Sequence, residues 1–231
     1  MRTPAAILAI ETSNPSAWRD NDAWSPGVAL GVVEGTGVRL LGVRASDPRD
    51  RDDPFLAHAA ELLSAHGLHP RDLARVAVSS GPGGFTAVRV AVTAGKVIGL
   101  ATGAALCLIP SAHVAARRVD HPSFAVALAS KGEDAWVTPI RDGRPDQGRL
   151  VEARHLAGLS IGLLLADDHL PLSMREECAR LGIAIERPTF DPVDLLHLSV
   201  HADTVDVHRA TPLYPRQAEA VRKWRELHGD R

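Results

Sequence analysis

The chain is poor in cysteine, in aromatic residues and in net charge. Its two cysteines, Cys107 and Cys178, exclude a disulfide framework or a zinc site built on cysteine pairs. They favour a reducing compartment, so we expect a cytoplasmic location. The formal net charge of −2 argues against a protein that binds nucleic acid unaided through a broad basic face. The 45% of hydrophobic residues still provides a large core.

Long apolar runs are also missing from the sequence. The runs at 5–10 and 159–166 are too short for the apolar segment of a secretory leader or for a membrane span. We therefore expect neither. With 231 residues, the chain has room for one large domain or two small ones.

The most informative stretch is a strand, a glycine-rich turn and a helix in direct succession. Residues 76–78 form a β-branched run typical of a buried strand, and Gly81, Gly83 and Gly84 form a tight turn after it. A helix is predicted from 85 to 101. Its N-terminus offers N–H groups to an anion, although any strand-to-helix corner has the same geometry.

Small residues form a line along this helix. Ala87, Ala91, Gly95 and Gly99 recur every four positions, which permits another backbone to approach closely. Glycine in a helix costs about 1 kcal/mol relative to alanine, so two glycines suggest that the close approach is needed. The helix either presses on its own sheet or also meets a partner subunit, and the two interpretations are compatible.

The order of predicted elements indicates two similar α/β lobes. Strands joined by hairpins are followed by alternating helices and strands, and this pattern occurs twice. We assign residues 1–103 to a first lobe and 104–215 to a smaller second lobe. A basic C-terminal helix at 216–231 is expected to pack back on the first lobe.

Four segments resemble the bacterial TsaB (YeaZ) family, whose central pattern is close to GPGSFTGLRIG. They are residues 7–13, 81–90, 131–133 and 212–216, in that order. The resemblance implies a two-lobed actin/Hsp70-like (ASKHA) α/β fold with mixed sheets flanked by helices. It also implies a role in the threonylcarbamoylation of adenosine 37 in tRNA.

The resemblance further implies that the chain is a dimerisation subunit without its own active site. It would bind the catalytic paralogue TsaD, work with the ATPase TsaE, and meet tRNA only through the complex, without a membrane. Alone, it would form a homodimer. The helices at 54–66 and 85–101 would form this interface, with the following residues assigned to it: Phe85, Arg89, Ala91, Val92, Gly95, Lys96 and Gly99. A Gly95→Leu substitution should then abolish association and leave the lobe folded.

Departures from the family pattern occur at the first strand and in the central block. Glu11 stands where the family has aspartate, and the loop at 14–26 is long. In the central block, a serine and two glycines of the family pattern are replaced here by Gly84, Ala87 and Ala91, respectively. These changes weaken the expectation of a standard interface and of ordinary nucleotide binding.

A residual nucleotide cleft is the candidate cofactor site. Glu11, Gly81, Gly83 and Gly84 would line it, but the second lobe has no further glycine-rich phosphate loop. We therefore expect the chain alone to bind no cofactor, with ATP or ADP possible in the complex. The alternative is an ASKHA-type kinase that phosphorylates a small molecule with ATP.

A peptidase is a weaker alternative, and no metal site is expected. Serines precede the glycine turn, but the GxSxG pattern is missing. The catalytic paralogue carries a metal-binding HxxxH, and here Ala112 and Ala116 fall at its two ligand positions, with His113 beside them. His197 and His201 lie four apart on a predicted helix, so they either share a metal or are unrelated surface histidines.

Overall fold

In the computed structural model, the described residues are 5–18, 25–47, 55–216, 224 and 227–229. These residues form two mixed β-sheets flanked by helices. The strands are β1 (Ala6–Glu11), β2 (Gly27–Glu34), β3 (Gly37–Ala45), β4 (Leu73–Ser79), β5 (Ala105–Ile109), β6 (Ser123–Lys131), β7 (Asp134–Arg141), β8 (Arg144–Pro145), β9 (Arg149–Glu152), β10 (Leu163–Ala166) and β11 (Ala184–Glu186). The α-helices are α1 (Phe55–Ala65), α2 (Phe85–Thr102), α3 (Ser111–Ala116), α4 (Leu172–Leu181) and α5 (Pro192–Ser199).

The first sheet has the strand order β3-β2-β1-β4-β5. The strands β1, β4 and β5 are mutually parallel, and β2 and β3 add an antiparallel hairpin. Because β5 pairs with β4, the first sheet extends to Ile109. The boundary predicted after Gly103 therefore precedes the last strand of this sheet.

Alternate residues of β1 face two different helical layers. Leu8 and Ile10 belong to the core beneath α1 and α2. Ile7 and Ala9 belong to a second core that includes α3, α5 and Phe124 of the second sheet. The period of two along a strand produces this division, and the second core joins the two sheets.

The second sheet has the order β11-β10-β6-β7-β8, and β9 pairs with β7. The turn at 132–133, within one of the segments that resemble the family, connects β6 and β7 as a hairpin. A third core lies on the outer side of this sheet, beneath α4 and the 3-10 helix Ala153–Leu159. The predicted C-terminal helix at 216–231 lies mostly outside the described residues.

Candidate functional site

The glycine-rich turn packs directly on the segment that follows β1. The Gly84 N–H donates a 2.8 Å hydrogen bond to the Ser13 carbonyl oxygen. A Cβ atom on Gly83 would lie 2.0 Å from the same oxygen. Gly81 has a φ of +95°, which an L side chain rarely adopts. Gly81 and Gly83 are therefore required by the local backbone, whereas a Cβ atom on Gly84 would make only ordinary contacts, the nearest at 3.6 Å from Pro15.

A buried polar network connects the carboxyl ends of β1, β4 and β5. The Oε1 atom of Glu11 accepts hydrogen bonds from the backbone N–H of Ser13 at 2.8 Å and from its hydroxyl at 2.6 Å. The Ser79 hydroxyl links Ser13 at 3.2 Å with Ser111 at 2.8 Å. Carboxyl ends of parallel strands are the usual ligand-binding edge of an α/β sheet.

Glu11 is fully buried in this network, and its second oxygen, Oε2, has no hydrogen-bond partner there. Burial raises the pKa of the Glu11 carboxyl, and the hydrogen bonds from Ser13 only partly oppose this effect. Burial in this network thus shifts the equilibrium of the Glu11 carboxyl toward its neutral form.

The start of the long loop occupies the space between the lobes. Its 3-10 helix, Pro15–Ala17, places Ala17 in the core shared by the two sheets. The Ser16 hydroxyl donates a 2.9 Å hydrogen bond to Asp167 in the second lobe. Trp18 packs half-buried against the same core, whereas Trp24 lies outside the described residues. The structure therefore brings the predicted cleft residues together, but much of their surface contacts the protein itself.

Four of the predicted interface residues face the chain's own core: Ala91, Val92, Gly95 and Gly99. A Cβ atom on Gly95 would lie 2.6 Å from Val78 of β4. A Cβ atom on Gly99 would lie 3.2 Å from the Ala104 carbonyl oxygen. The close approach predicted from the small residues is real, but it is to the first sheet. These four residues are not available to a partner.

The outer side of α2 carries a different stripe of residues, which was not predicted from the sequence. Val90 is 37% exposed, and Val97 and Leu100 are each 57% exposed. With Leu56 of α1, 52% exposed, they form an apolar face that we call the α1/α2 face. The spacing of seven and three residues is a helical stripe that the sequence contained.

A groove between the two helices runs through this face. It has a volume of about 370 Å³ and is lined by Leu56, Arg89, Val90, Thr93 and Val97, among others. Of the predicted interface residues, Arg89 borders this groove and is exposed. Phe85, 56% exposed, lies one turn earlier, and the guanidinium of Arg89 sits 5.0 Å from the centre of its ring.

The segment at 204–216, which we call the C-terminal strap, links α2 to the second lobe. The Lys96 ammonium donates a 3.0 Å hydrogen bond to the Ala210 carbonyl oxygen, so this predicted interface residue anchors the strap instead. Tyr214 contacts Phe85, with 5.2 Å between ring centres. At its end, Arg216 donates to the Ala129 carbonyl oxygen at 2.6 Å and forms an ion pair with Asp134.

Among the described residues, no three His, Cys, Asp or Glu side chains are grouped to hold a metal ion. Ala112 is buried in α3, and His113 beside it is half-buried, where burial lowers its pKa. His197 and His201 line a separate surface pocket of about 350 Å³. Within the described part of the chain, the histidine pair thus lacks a third ligand.

By length and composition alone, α2 is long and apolar enough to cross a membrane. Core helices of soluble proteins pass the same test, and α2 rests on β4 and β5 through Val88, Ala91 and Val92. The exposed apolar surface of α2 is thus confined to the side away from the sheet.

Comparisons with known proteins fit this architecture. The family model of TsaD, tRNA N6-adenosine threonylcarbamoyltransferase, matches residues 54–147. The tRNA threonylcarbamoyladenosine biosynthesis protein TsaB of Bacillus subtilis (strain 168) is 26% identical, over 95% of this chain and 98% of that protein.

Two solved structures from Pseudomonas aeruginosa share the fold. The first, described as an uncharacterized protein with similarity to peptidase YEAZ, has a TM-score of 0.64 at 16% identity, over 92% of this chain and all of that one. The second, YeaZ, has a TM-score of 0.63 at 15% identity, over 90% of this chain and all of that one. These likenesses confirm the predicted fold class of two mixed sheets flanked by helices.

Proposed function

Because the chain belongs to the TsaB (YeaZ) family of tRNA threonylcarbamoyladenosine biosynthesis, we propose that it is a non-catalytic subunit that binds a TsaD transferase through the α1/α2 face. In this role it shifts the conformational equilibrium of TsaD toward an active arrangement and takes no part in the chemical step. TsaE and tRNA join the assembly through the complex, and the chain brings no cofactor of its own.

The observation that carries the proposal is the exposed apolar face itself. Val97 and Leu100 project from α2 and Leu56 from α1, each more than half exposed. Contiguous apolar surface of this kind is costly in water and marks interaction sites. Arg89 and Thr93 provide a polar border, as expected at the edge of a protein interface.

The match to the TsaD family model supports a dimer in which similar helical faces of the two chains pack against each other. It covers 54–147, which includes both α1 and α2. A paralogue built on the same two helices would present a similar face, so the two faces can pack around an approximate two-fold axis. The same geometry accounts for a homodimer when the chain is alone, since a two-fold interface is self-complementary.

The interlobe region supports a role without catalysis. Gly84 and Ser13 are already hydrogen-bonded to one another, which removes one backbone donor that a phosphate would need. Ala112 and Ala116 have no lone pairs for a metal. These features favour a subunit over the kinase alternative.

The experiment is light scattering on a sizing column, with the chain alone and mixed with TsaD from its own organism. The test variant is Val97→Asp with Leu100→Asp, which places two charges in the proposed interface. The matched control is Leu172→Asp, on a leucine of α4 that is 70% exposed in the second lobe. We expect a one-to-one complex for the native chain and the control, and loss of complex and homodimer for the test variant.

Circular dichroism of the test variant is used to check that it is folded. An intact complex in the folded test variant would contradict the assignment of the α1/α2 face. Absence of any complex for the native chain, with nucleotide, TsaE and tRNA present, would contradict the scaffold role.

A further inference from the structure

A second pocket lies on the opposite side of the first sheet from the α1/α2 face. It is formed by the β2–β3 turn at Thr36, by Arg117 after α3, and by His197 and His201 at the end of α5. Its volume of about 350 Å³ is within the range of small-ligand sites, roughly 300–1,000 Å³. The interlobe network at the carboxyl end of β1 is separate, because α5 starts near that end and runs away from it.

The side chains of this pocket favour an anion. Arg117 is exposed and His201 is exposed, while His197 is half-buried. An arginine presents a planar fork of N–H donors that matches a phosphate, and each imidazole supplies at least one further N–H donor. None of the described residues that line the pocket carries a carboxylate.

The nearby carboxylate of Asp194 is engaged mainly by another arginine. The Arg118 Nε atom lies 2.5 Å from Asp194 Oδ2, whereas the Arg117 Nη1 atom lies 3.9 Å from Oδ1. At the latter distance the contact is at the limit of an ion pair. The Arg117 guanidinium therefore keeps donors for a ligand.

The end of α5 would normally repel an anion, because its last carbonyl groups carry partial negative charge. Here the Arg75 guanidinium donates hydrogen bonds to the carbonyl oxygens of Ser199 at 2.9 Å and Ala202 at 3.0 Å. This contact satisfies one carbonyl of α5 and one just beyond it, and it brings a positive charge to the C-terminal end of the helix. The positive charge partly offsets the repulsion that an anion would meet there.

We propose that this pocket binds a small organic phosphate, with Arg117 holding the phosphate and His197 and His201 donating to it. Val38 and Val200 line the remaining wall and would contact the apolar part of the ligand. The inference is independent of the partner interface, because the two surfaces lie on opposite faces of the sheet.

The test uses the full chain and two probes, inorganic phosphate and a short single-stranded RNA, at matched ionic strength. Proton–nitrogen NMR follows the Arg117 Nε–H signal and the imidazole signals of His197 and His201. We expect saturable shifts with inorganic phosphate. In Arg117→Met the affinity should fall about tenfold or more, since charge-assisted hydrogen bonds are lost.

Arg154→Met, which removes an arginine that is 71% exposed in the second lobe, is the control and should leave the affinity unchanged. If Arg117→Met does not fold, Arg117→Lys keeps the charge, loses the fork, and should still bind more weakly. Equal affinity in a folded Arg117 variant would overturn the proposal. Saturable shifts with RNA but not with phosphate would also overturn it.

Discussion

Val78 of β4 occupies the space where Gly95 of α2 would carry a side chain, with only 2.6 Å between Val78 Cγ2 and that Cβ position. The backbone of α2 at Gly95 therefore packs directly against the Val78 side chain of β4. Leu106 of β5 closes the same site at 3.1 Å. The small-residue line of α2 is thus a device for packing the helix onto its own sheet.

The first prediction concerns Gly95→Ala. The added methyl group should lower the free energy of unfolding, because overpacking a core costs about 1–3 kcal/mol and exceeds the helix-propensity gain of about 1 kcal/mol. Urea unfolding followed by circular dichroism measures the difference. A leucine at this position should disrupt the fold itself, which corrects the expectation that Gly95→Leu would act on association alone.

Gly158→Ala is the matched control for this prediction. No atom lies within 4 Å of the position that its Cβ would occupy, so unfolding should be nearly unchanged. If Gly95→Ala were as stable as the native chain, the contact between α2 and β4 would have room for a methyl group, which would contradict the tight packing described at this site.

The sequence predicted the strand, turn and helix around Gly81 because glycine chemistry and β-branched runs are local signals. It did not predict which side of α2 faces outward. Periodicity shows that Ala91 and Gly95 share one line and that Val97 and Leu100 share another, but only the sheet decides which line is buried. Strap contacts such as Arg216 with Asp134 were also missed, since they join distant segments and leave no periodic pattern.

The second prediction concerns Arg216→Met at the end of the C-terminal strap. Arg216 and Asp134 are each only about a quarter to a third exposed, at 25% and 31%, so their pairing is partly shielded from solvent. Loss of the pair and of the hydrogen bond to Ala129 should lower the free energy of unfolding by about 1–3 kcal/mol. Urea unfolding of the purified variant is the measurement.

Arg39→Met provides the comparison, because Arg39 and Glu34 form an ion pair in which both side chains are more than half exposed. Exposed pairs contribute about 0–1 kcal/mol, so this variant should unfold close to the native chain. An equal effect of the two substitutions would mean that the strap does not hold the lobes together.

The third prediction concerns the pH dependence of stability at Glu11. A raised pKa means that the folded chain binds the Glu11 proton more tightly than the unfolded chain does. Stability from this group is therefore present at low pH and is lost as the pH rises from the ordinary glutamate pKa through the raised folded value. Glu11→Gln does not ionise and should be more stable than the native chain at neutral pH.

Thermal unfolding from pH 4 to pH 8 measures this effect. The difference in melting temperature between Glu11→Gln and the native chain should widen as the pH rises. The control is Glu176→Gln, since Glu176 is exposed on α4. The difference in melting temperature between Glu176→Gln and the native chain should stay small and constant. A Glu11→Gln variant whose destabilisation grows as the pH rises above 4 would instead indicate an ionised carboxyl that is stabilised by its hydrogen bonds.

The fourth prediction concerns nucleotide binding to the isolated chain. The Gly84 N–H is already bonded to Ser13, and Ala17 is buried between the lobes, so we expect MgATP not to bind at the glycine turn. Any rise in melting temperature with MgATP should then come from the Arg117 pocket. It should persist in Glu11→Gln and disappear in Arg117→Met. A rise that persists in Arg117→Met and disappears in Glu11→Gln, together with measurable ATP turnover, would instead support the kinase alternative, because only an opened interlobe cleft would place Glu11 beside the nucleotide.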